Sequence, residues 1–573
     1  MFNFKNTVRI TQAFAKAPMD VKKTIVIVVA IPTIYSITVM LLSYAINNVH
    51  HGHHPLIIPP SPSPLPPSRV LISSYQSATP TISSHSLRLL RVAIYRTMRR
   101  VRRTRDRVSG NSTWQLQHLS FQEKNALKDC VEMLDQTLYE LRQAVQESRG
   151  LQEVSSRPLL NELKTLLSAA MTNENSCIEG VSDVEEANPD QQKGLKAYLE
   201  GLLMPILAKI SDCLAMVNQF EMASRGGQGD GLIEATDFLA WMSMWDRRMR
   251  RIAMPHEGWF SFVVASDGSG DFRTIGEAVR MAPNMSLNRV VIKIKAGVYQ
   301  ENVEIQREKT NIMLVGEGMD STIITSNKNF NDGFSTFNSA TLTVIGDRFL
   351  ARDLTVLNTA GPEKHQAVAV RVTSNAAFYR CNFSSYQDTL YAHSLRQFYR
   401  ECTIQGTIDF IFGNAAAVFQ NCLILVHKPS PGQKNMITAQ GREDPNQNTG
   451  ISLQNCTIVA APDLAEAGIS NFSTFLGRPW RNYSRTMVMK SYLGDLIHPQ
   501  GWHKWHNYTS LDTVEYIEYM NVGPGSDTRD RVTWGGYKKN CSEDIAKQFT
   551  VGMFLHGSDY WLQSTGFPFS YEY

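Results

Sequence analysis

The sequence FYRCNF, which begins at Phe378, returns three more times in altered form: FYRECTI from Phe398, FQNCLI from Phe419 and LQNCTI from Leu453. Each copy places a cysteine between apolar residues, and successive cysteines are 21, 20 and 34 residues apart. These spacings fit coils of a parallel β-helix with an insertion in the last turn. Because stacked coils lie ~4.8 Å apart, residues one coil apart in sequence become neighbours in space.

The repeat also pairs two acidic residues. Asp388 stands seven residues after Cys381, and Asp409 stands seven residues after Cys402. If the cysteines stack in register, the two carboxylates come to roughly 5 Å from each other. Two carboxylates that close cannot both ionise cheaply, so we expect one to keep its proton while the other stays anionic. The pair then offers an acid and a nucleophile.

The neighbours of both acids argue against the alternative of two solvent-facing aspartates in turns. YQDTLY (386–391) and TIDFIFG (407–413) surround them with aromatic and apolar side chains, an expensive setting for an unpaired charge. A cationic partner is therefore expected, and Arg478 in LGRPW is the candidate. The spacing alone leaves the reaction open, because two carboxylates about 5 Å apart also suit a retaining glycosidase.

Length and composition indicate several structural units in a globular chain. The 573 residues, 43% hydrophobic and 19% charged, exclude a wholly disordered, collagenous or multi-span membrane protein. The formal net charge is +4, but nine arginines and Asp106 between positions 88 and 107 carry +8, so the remaining residues sum to −4. We interpret this arginine run as a solvated or polyanion-attracting face within a linker.

The N-terminal region predicts entry into the secretory pathway. Residues 1–23 form a basic tail, residues 24–46 are uncharged and long enough to span a membrane, and residues 47–119 read as a proline-rich and then arginine-rich linker. The positive-inside rule places the tail in the cytosol. Whether residues 24–46 are a signal anchor or a cleaved signal peptide stays open. Both send the rest of the chain outward, which argues against nucleic acid as a partner of the arginine run.

The remaining chain divides into a helical part and a β part. Apolar residues recur every three or four positions in residues 120–225, which predicts an all-α bundle. Residues 226–261 have the composition of an exposed linker and contain the basic sequence RRM at Arg247, Arg248 and Met249. In residues 262–568, short β-branched runs alternate with turn residues, as expected for the β-helix.

Five ordered segments carry a resemblance to a known family: GVYQE (297–301), HQAVAVRV (365–372), YQDTLY, DFIFG (409–413) and LGRPW (476–480). Together they resemble the plant pectin methylesterases. The resemblance implies a right-handed, single-stranded parallel β-helix that hydrolyses the methyl esters of galacturonate in homogalacturonan. It implies a secreted enzyme of the cell wall, with methyl-esterified pectin as its partner and no metal or organic cofactor.

The resemblance also implies roles for individual residues. Asp409 would be the nucleophile and Asp388 the general acid that later acts as a base. Gln366 and Gln387 would stabilise the oxyanion, and Arg478 would hold Asp409. Thr336 and Trp480 would contact the polysaccharide, together with Gln366 and Arg478.

Segments 126–141 and 166–181 resemble helices of the pectin methylesterase inhibitor domain that precedes many of these enzymes. That resemblance implies a disulfide between Cys130 and Cys177, and the enzyme family implies a second between Cys422 and Cys456. The RRM sequence resembles a dibasic processing site, which implies a processing protease as a partner. A proteinaceous pectinesterase inhibitor is a further expected partner. Before processing, the N-terminal segment would also contact a membrane. The family's earlier cysteine pair is missing, which predicts an incomplete inhibitor domain.

Two other functions remain open from the sequence. The chain could be a different β-helix polysaccharide hydrolase, which would create new reducing ends rather than methanol. It could also be a non-catalytic wall protein that acts through its inhibitor-like domain. The presence of both aspartates, both glutamines and Arg478 favours the esterase over this second alternative.

Overall fold

The computed structural model describes residues 83–110, 119–151, 157–187, 194–225, 260–505, 510–555 and 559–572. The expected membrane segment at residues 24–46 and the RRM sequence at Arg247, Arg248 and Met249 lie outside these residues. In the described part, no helix combines the length and the apolar character that a membrane span needs.

The N-terminal described part consists of four long helices. They are α1 (Ser84–Ser109), α2 (Phe121–Gly150), α3 (Arg157–Ala187) and α4 (Leu195–Arg225). A capping box between Ser120 and Glu123 fixes the start of α2. A disulfide between Cys130 and Cys177 joins α2 to α3, as the resemblance implied. The all-α bundle is therefore confirmed.

Helix α1 corrects the interpretation of the arginine run as a linker. The run is a 26-residue helix, capped by Ser83, and its apolar stripe is buried in the same cluster as α2, α3 and α4. Leu87, Leu90, Ile94 and Val101 in this stripe are almost fully buried. The apolar residues of this segment recur at helical spacing between the nine arginines. The bundle therefore begins well before residue 120.

The C-terminal described part contains 24 strands and five short helices. The strands are β1 (Phe260–Val264), β2 (Val290–Ile294), β3 (Gly297–Gln300), β4 (Val303–Ile305), β5 (Ile312–Val315), β6 (Thr322–Ser326), β7 (Leu342–Val344), β8 (Phe349–Asn358), β9 (Val370–Val372), β10 (Ala376–Ser384), β11 (Leu390–Ala392), β12 (Arg396–Arg400), β13 (Thr403–Gly406), β14 (Ile411–Gly413), β15 (Ala416–Gln420), β16 (Leu423–Val426), β17 (Asn435–Gln440), β18 (Gly450–Gln454), β19 (Thr457–Ala460), β20 (Thr474–Pro479), β21 (Arg485–Met489), β22 (Tyr492–Leu493), β23 (Glu515–Tyr519) and β24 (Tyr537–Lys538). The helices are α5 (Ile275–Met281), α6 (Pro462–Ala467), α7 (Glu543–Lys547), α8 (Val551–Phe554) and α9 (Asp559–Thr565).

These strands stack as a parallel β-helix. The named strand pairings are parallel, and strands β4, β7, β9, β11, β14, β17 and β20 form one seven-stranded face. Strands β10, β12 and β15 pair in succession on another face, followed by β18. The predicted fold, a β-helix preceded by a helical bundle, is confirmed. Its core is filled by the inward-facing apolar residues of each coil.

The four cysteines of the repeat stack as the spacing predicted, but they do not form the implied bridge. Pairings of Asn382 with Thr403, of Thr403 with Leu423 and of Leu423 with Thr457 place the preceding cysteines in one register. Cys422 and Cys456 are buried free thiols, so the expected disulfide between them is absent. Each thiol instead donates a hydrogen bond to a main-chain carbonyl of the preceding coil, at Tyr399 and Phe419.

Candidate active site

The two aspartates occupy equivalent positions on successive coils. Asp388 and Asp409 lie two residues before Leu390 and Ile411, which pair directly between β11 and β14. Both acids are more than nine-tenths buried, and both adopt a left-handed backbone conformation, with φ of 66° and 49°. Non-glycine residues rarely adopt this conformation, and here it recurs at the turn into the seven-stranded face. The predicted juxtaposition of the two acids in register is therefore confirmed.

Arg478 distinguishes one acid from the other. It extends from β20, and its Nε and Nη2 donate to the two carboxylate oxygens of Asp409 at 2.9 and 2.5 Å. This bidentate geometry is the strongest that a guanidinium offers a carboxylate. The guanidinium also lies over the ring of Trp505, 4.0 Å from its centroid. The two hydrogen bonds thus hold the Asp409 carboxylate in one orientation.

The electrostatic environment favours the protonated form of Asp388. Burial raises its pKa well above the usual value, and the charges of Asp409 and Asp183 raise it further, while Arg478 acts in the opposite direction. Desolvation disfavours a second negative charge beside the first. The site therefore combines a carboxylic acid and a carboxylate on adjacent coils.

The two glutamines lie beside the acids, and Thr336 lies earlier in the chain. Gln366 and Gln387 form an isolated parallel bridge one coil apart, and both are partly exposed. Gln387 directly precedes Asp388 in the chain. Thr336 begins a short 3-10 helix. Ser335, which precedes this helix, donates a hydrogen bond from its hydroxyl to the carboxylate of Asp129 in α2. Within the described residues, no group of three or more His, Cys, Asp or Glu side chains is placed to hold a metal ion.

An aromatic row lies beside the acids, and two of its members, Tyr391 and Phe412, were not assigned from the sequence, whereas Trp480 was. Tyr391 stacks on Phe412 with ring centroids 4.2 Å apart, and Trp480 lies 6.0 Å from Phe412. Tyr391 pairs with Phe412 across β11 and β14, so the coil spacing itself stacks them. The sequence of the YQDTLY and DFIFG segments indicates only that their aromatic residues enclose the acids. Their stacking depends on the register.

Helix α3 lies across this face of the β-helix. Polar contacts come from residues spaced three, four or seven apart along the helix, which places them on one side of it. The contacts join Glu162 to Arg396, Thr165 to Asn448, Thr172 to Asn414, Ser176 to Tyr391 and His393, and Glu179 to Trp480 and Arg481. Apolar side chains of the bundle and of the β-helix, including Tyr391 and Phe412, share one buried cluster.

The C-terminal half of α3 reaches the acids. Glu179 accepts a hydrogen bond from the indole of Trp480 at 3.1 Å and pairs with Arg481. One turn later, Asp183 is close enough to Asp388 to influence its pKa. Desolvation, followed by the charges of Glu179 and Glu186, raises the pKa of Asp183 to about 8. The aromatic row and the acid pair are therefore covered by an acidic helix from the same chain.

The family comparisons agree with this architecture. The family model "Pectinesterase" matches residues 261–558, and the model "Plant invertase/pectin methylesterase inhibitor" matches residues 70–216, which include α1. The chain is 47% identical to "Pectinesterase 2" of Arabidopsis thaliana over 79% of each protein. It is 46% identical to "Pectinesterase/pectinesterase inhibitor U1" of Solanum lycopersicum, over 79% of this chain and 78% of that one.

A solved structure gives the same assignment for the β-helix. "Pectin methylesterase from Carrot" is 54% identical, covers 56% of this chain and 100% of its own, and superimposes with a TM-score of 0.54. The family model spans more than half of the chain, and the identity to the plant relatives is far higher than unrelated proteins share. The chain belongs to the pectinesterase family.

Proposed function

We propose that this chain hydrolyses the methyl esters of galacturonate residues in pectin and releases methanol, as a secreted enzyme that modifies the plant cell wall. The observation that carries the proposal is the stacked pair of aspartates, in which Arg478 holds Asp409 and burial favours the protonated form of Asp388. An ester needs both a nucleophile and an acid for its leaving group, and this pair supplies them at neighbouring positions.

The reaction proceeds in two steps. A carboxylate oxygen of Asp409 attacks the ester carbonyl carbon, and the side-chain amides of Gln366 and Gln387 donate to the developing oxyanion. Asp388 gives its proton to the methoxy oxygen, the C–O bond breaks, and methanol leaves. Water then transfers a proton to the Asp388 carboxylate and attacks the acyl carbon. The bond between the acyl carbon and Asp409 breaks, which regenerates the Asp409 anion and leaves Asp388 protonated. The galacturonic acid product then loses its own proton to water.

The aromatic row supplies the polysaccharide-binding surface. Sugar rings pack their apolar faces on aromatic side chains, and Trp480, Tyr391 and Phe412 lie side by side next to the acids. Thr336 and Arg478 add polar contacts to the polymer. The bound chain runs over the seven-stranded face, which α3 covers in the full-length protein.

Asp409→Asn tests this proposal. Because the amide keeps the shape but removes the nucleophilic charge, we expect methanol release from methylated pectin by the cleaved enzyme to fall by about 10⁴-fold with the fold retained. The matched control is Asp267→Asn, which changes an exposed aspartate in a turn and should leave turnover unchanged. Equal loss in both variants, retained turnover in Asp409→Asn, or release of reducing ends instead of methanol would contradict the esterase assignment.

We further propose that the helical part keeps the full-length protein inactive until cleavage in the linker, at or near Arg247, Arg248 and Met249. Support comes from the contacts of Glu179 with Trp480 and Arg481, because these side chains border the surface that pectin must reach. A pectin chain and α3 cannot occupy this surface together. The helical part thus acts as an internal inhibitor, and a protease is the activating partner.

Glu179→Ala tests the internal inhibition. The change removes the contacts with both Trp480 and Arg481, so the uncleaved protein should release methanol several-fold faster than wild type as α3 loosens. Glu186→Ala is the control, because this glutamate lies on the exposed side of the same helix. If the uncleaved wild-type protein is already as active as the cleaved enzyme, α3 does not block the site.

A further inference from the structure

Helix α1 presents a strongly basic surface that the esterase reaction does not use. Seven of its arginines are exposed, and we call them the arginine face: Arg88, Arg96, Arg99, Arg100, Arg102, Arg103 and Arg107. At 100° per residue these side chains project within an arc of roughly 160°, and they extend over ~28 Å of helix. The buried stripe that includes Leu90 and Ile94 lies on the opposite side. The arginine face therefore points away from the bundle.

The arrangement of these arginines costs stability in the absence of an anion. Arg96 and Arg100 are four residues apart, as are Arg99 and Arg103, and such like-charged pairs destabilise a helix. Asp106 is the only acidic residue of α1, and it lies beside Arg105. Arg105 also makes a bidentate pair with Asp135 of α2, on the flank of the helix. A polyanion along the arginine face would relieve the remaining repulsion.

The chain's own N-terminal segment does not match this surface in charge. Residues 1–82 contain a single acidic residue, Asp20, against six lysines and arginines. A second copy of α1 would repel the first. The charge of the arginine face instead matches an external polymer with a high density of negative charge.

We infer that the arginine face binds de-esterified pectin, a polymer with one carboxylate on each sugar. Guanidinium groups pair with carboxylates in bidentate geometry, and a row of them suits a linear polyuronate. The choice of this polymer rests on the proposed function, because each turnover converts a neutral ester into a carboxylate. The full-length protein is thereby retained on regions of pectin that are already demethylated, through its helical part.

The experiment measures binding of the full-length protein to polygalacturonate by affinity electrophoresis. The variant carries Arg96→Gln, Arg99→Gln, Arg103→Gln and Arg107→Gln, and glutamine keeps the helix propensity of arginine. The matched control removes four exposed charges from the β-helix, through Arg273→Gln, Arg280→Gln, Lys293→Gln and Lys539→Gln. Circular dichroism verifies that α1 remains helical in both proteins.

We expect wild type and control to bind polygalacturonate alike, and the α1 variant to bind about tenfold more weakly or worse, with a smaller dependence on salt. None of the three proteins should bind neutral galactan. Equal binding by the α1 variant and the control would overturn the inference. So would retention on phosphatidylserine vesicles or on DNA without retention on polygalacturonate. Polygalacturonate has no ester to cleave, so this outcome is independent of methanol release, which separately tests the proposed function.

Discussion

At the scale of single residues, two chemically identical side chains differ because of their surroundings. Asp388 and Asp409 share the same turn position and the same left-handed backbone conformation. Arg478 contacts only Asp409 with two hydrogen bonds, whereas Asp388 faces desolvation and two nearby carboxylates. The repeat thus creates the pair, and one arginine, two coils beyond Asp409, makes it asymmetric.

Arg478→Lys should separate charge from geometry. A lysine keeps the positive charge but cannot donate two parallel hydrogen bonds, so Asp409 would lose its fixed orientation. We expect kcat for methanol release by the cleaved enzyme to fall about a hundredfold. Arg529→Lys is the control, since Arg529 makes a comparable but exposed pair with Asp527. An Arg478→Lys enzyme with wild-type kcat would remove the orienting role of Arg478.

At the scale of elements, α3 joins the two parts of the molecule through a buried acidic surface. Besides Asp183, burial raises the pKa of Glu174 to about 8 and that of Glu140, in α2, to about 7. Such groups hold protons in the folded state at pH values where the unfolded chain has lost them. The folded, docked arrangement should therefore weaken as the pH rises from about 4 towards about 8.

Asp183→Asn should reduce this pH dependence. In wild type, Arg481 and Lys196 oppose the raised pKa of Asp183, while Glu179 and Glu186 add to it. The neutral amide removes the need for a proton, so the thermal midpoint of the full-length protein should fall less between pH 5 and pH 8 than it does in wild type. Asp212→Asn, at an exposed position of α4, should behave as wild type. An equal pH dependence in both variants would show that Asp183 is not desolvated by docking.

At the scale of the whole molecule, the sequence predicted the features that depend on its repeat, which are the coil register and the position of the two acids. The 21-, 20- and 34-residue spacings gave the coil register, and the register placed the two acids together. The helical period of α1 was not predicted, because only its apolar residues carry that period and they are interspersed with many arginines. Contacts such as Glu179 with Trp480 join residues about 300 positions apart, and no periodicity within either part could indicate them.

The position of the single disulfide among the described residues determines how the two parts can separate. It links α2 to α3, both before the linker, while the six other cysteines are free thiols. After a cut anywhere in residues 226–259, no covalent bond connects the fragments. Activation then depends on a bimolecular equilibrium between the enzyme and the helical fragment. Dilution should favour dissociation and therefore activity, and added helical fragment should reverse it. Thiol reagents should change this equilibrium only by unfolding the helical fragment.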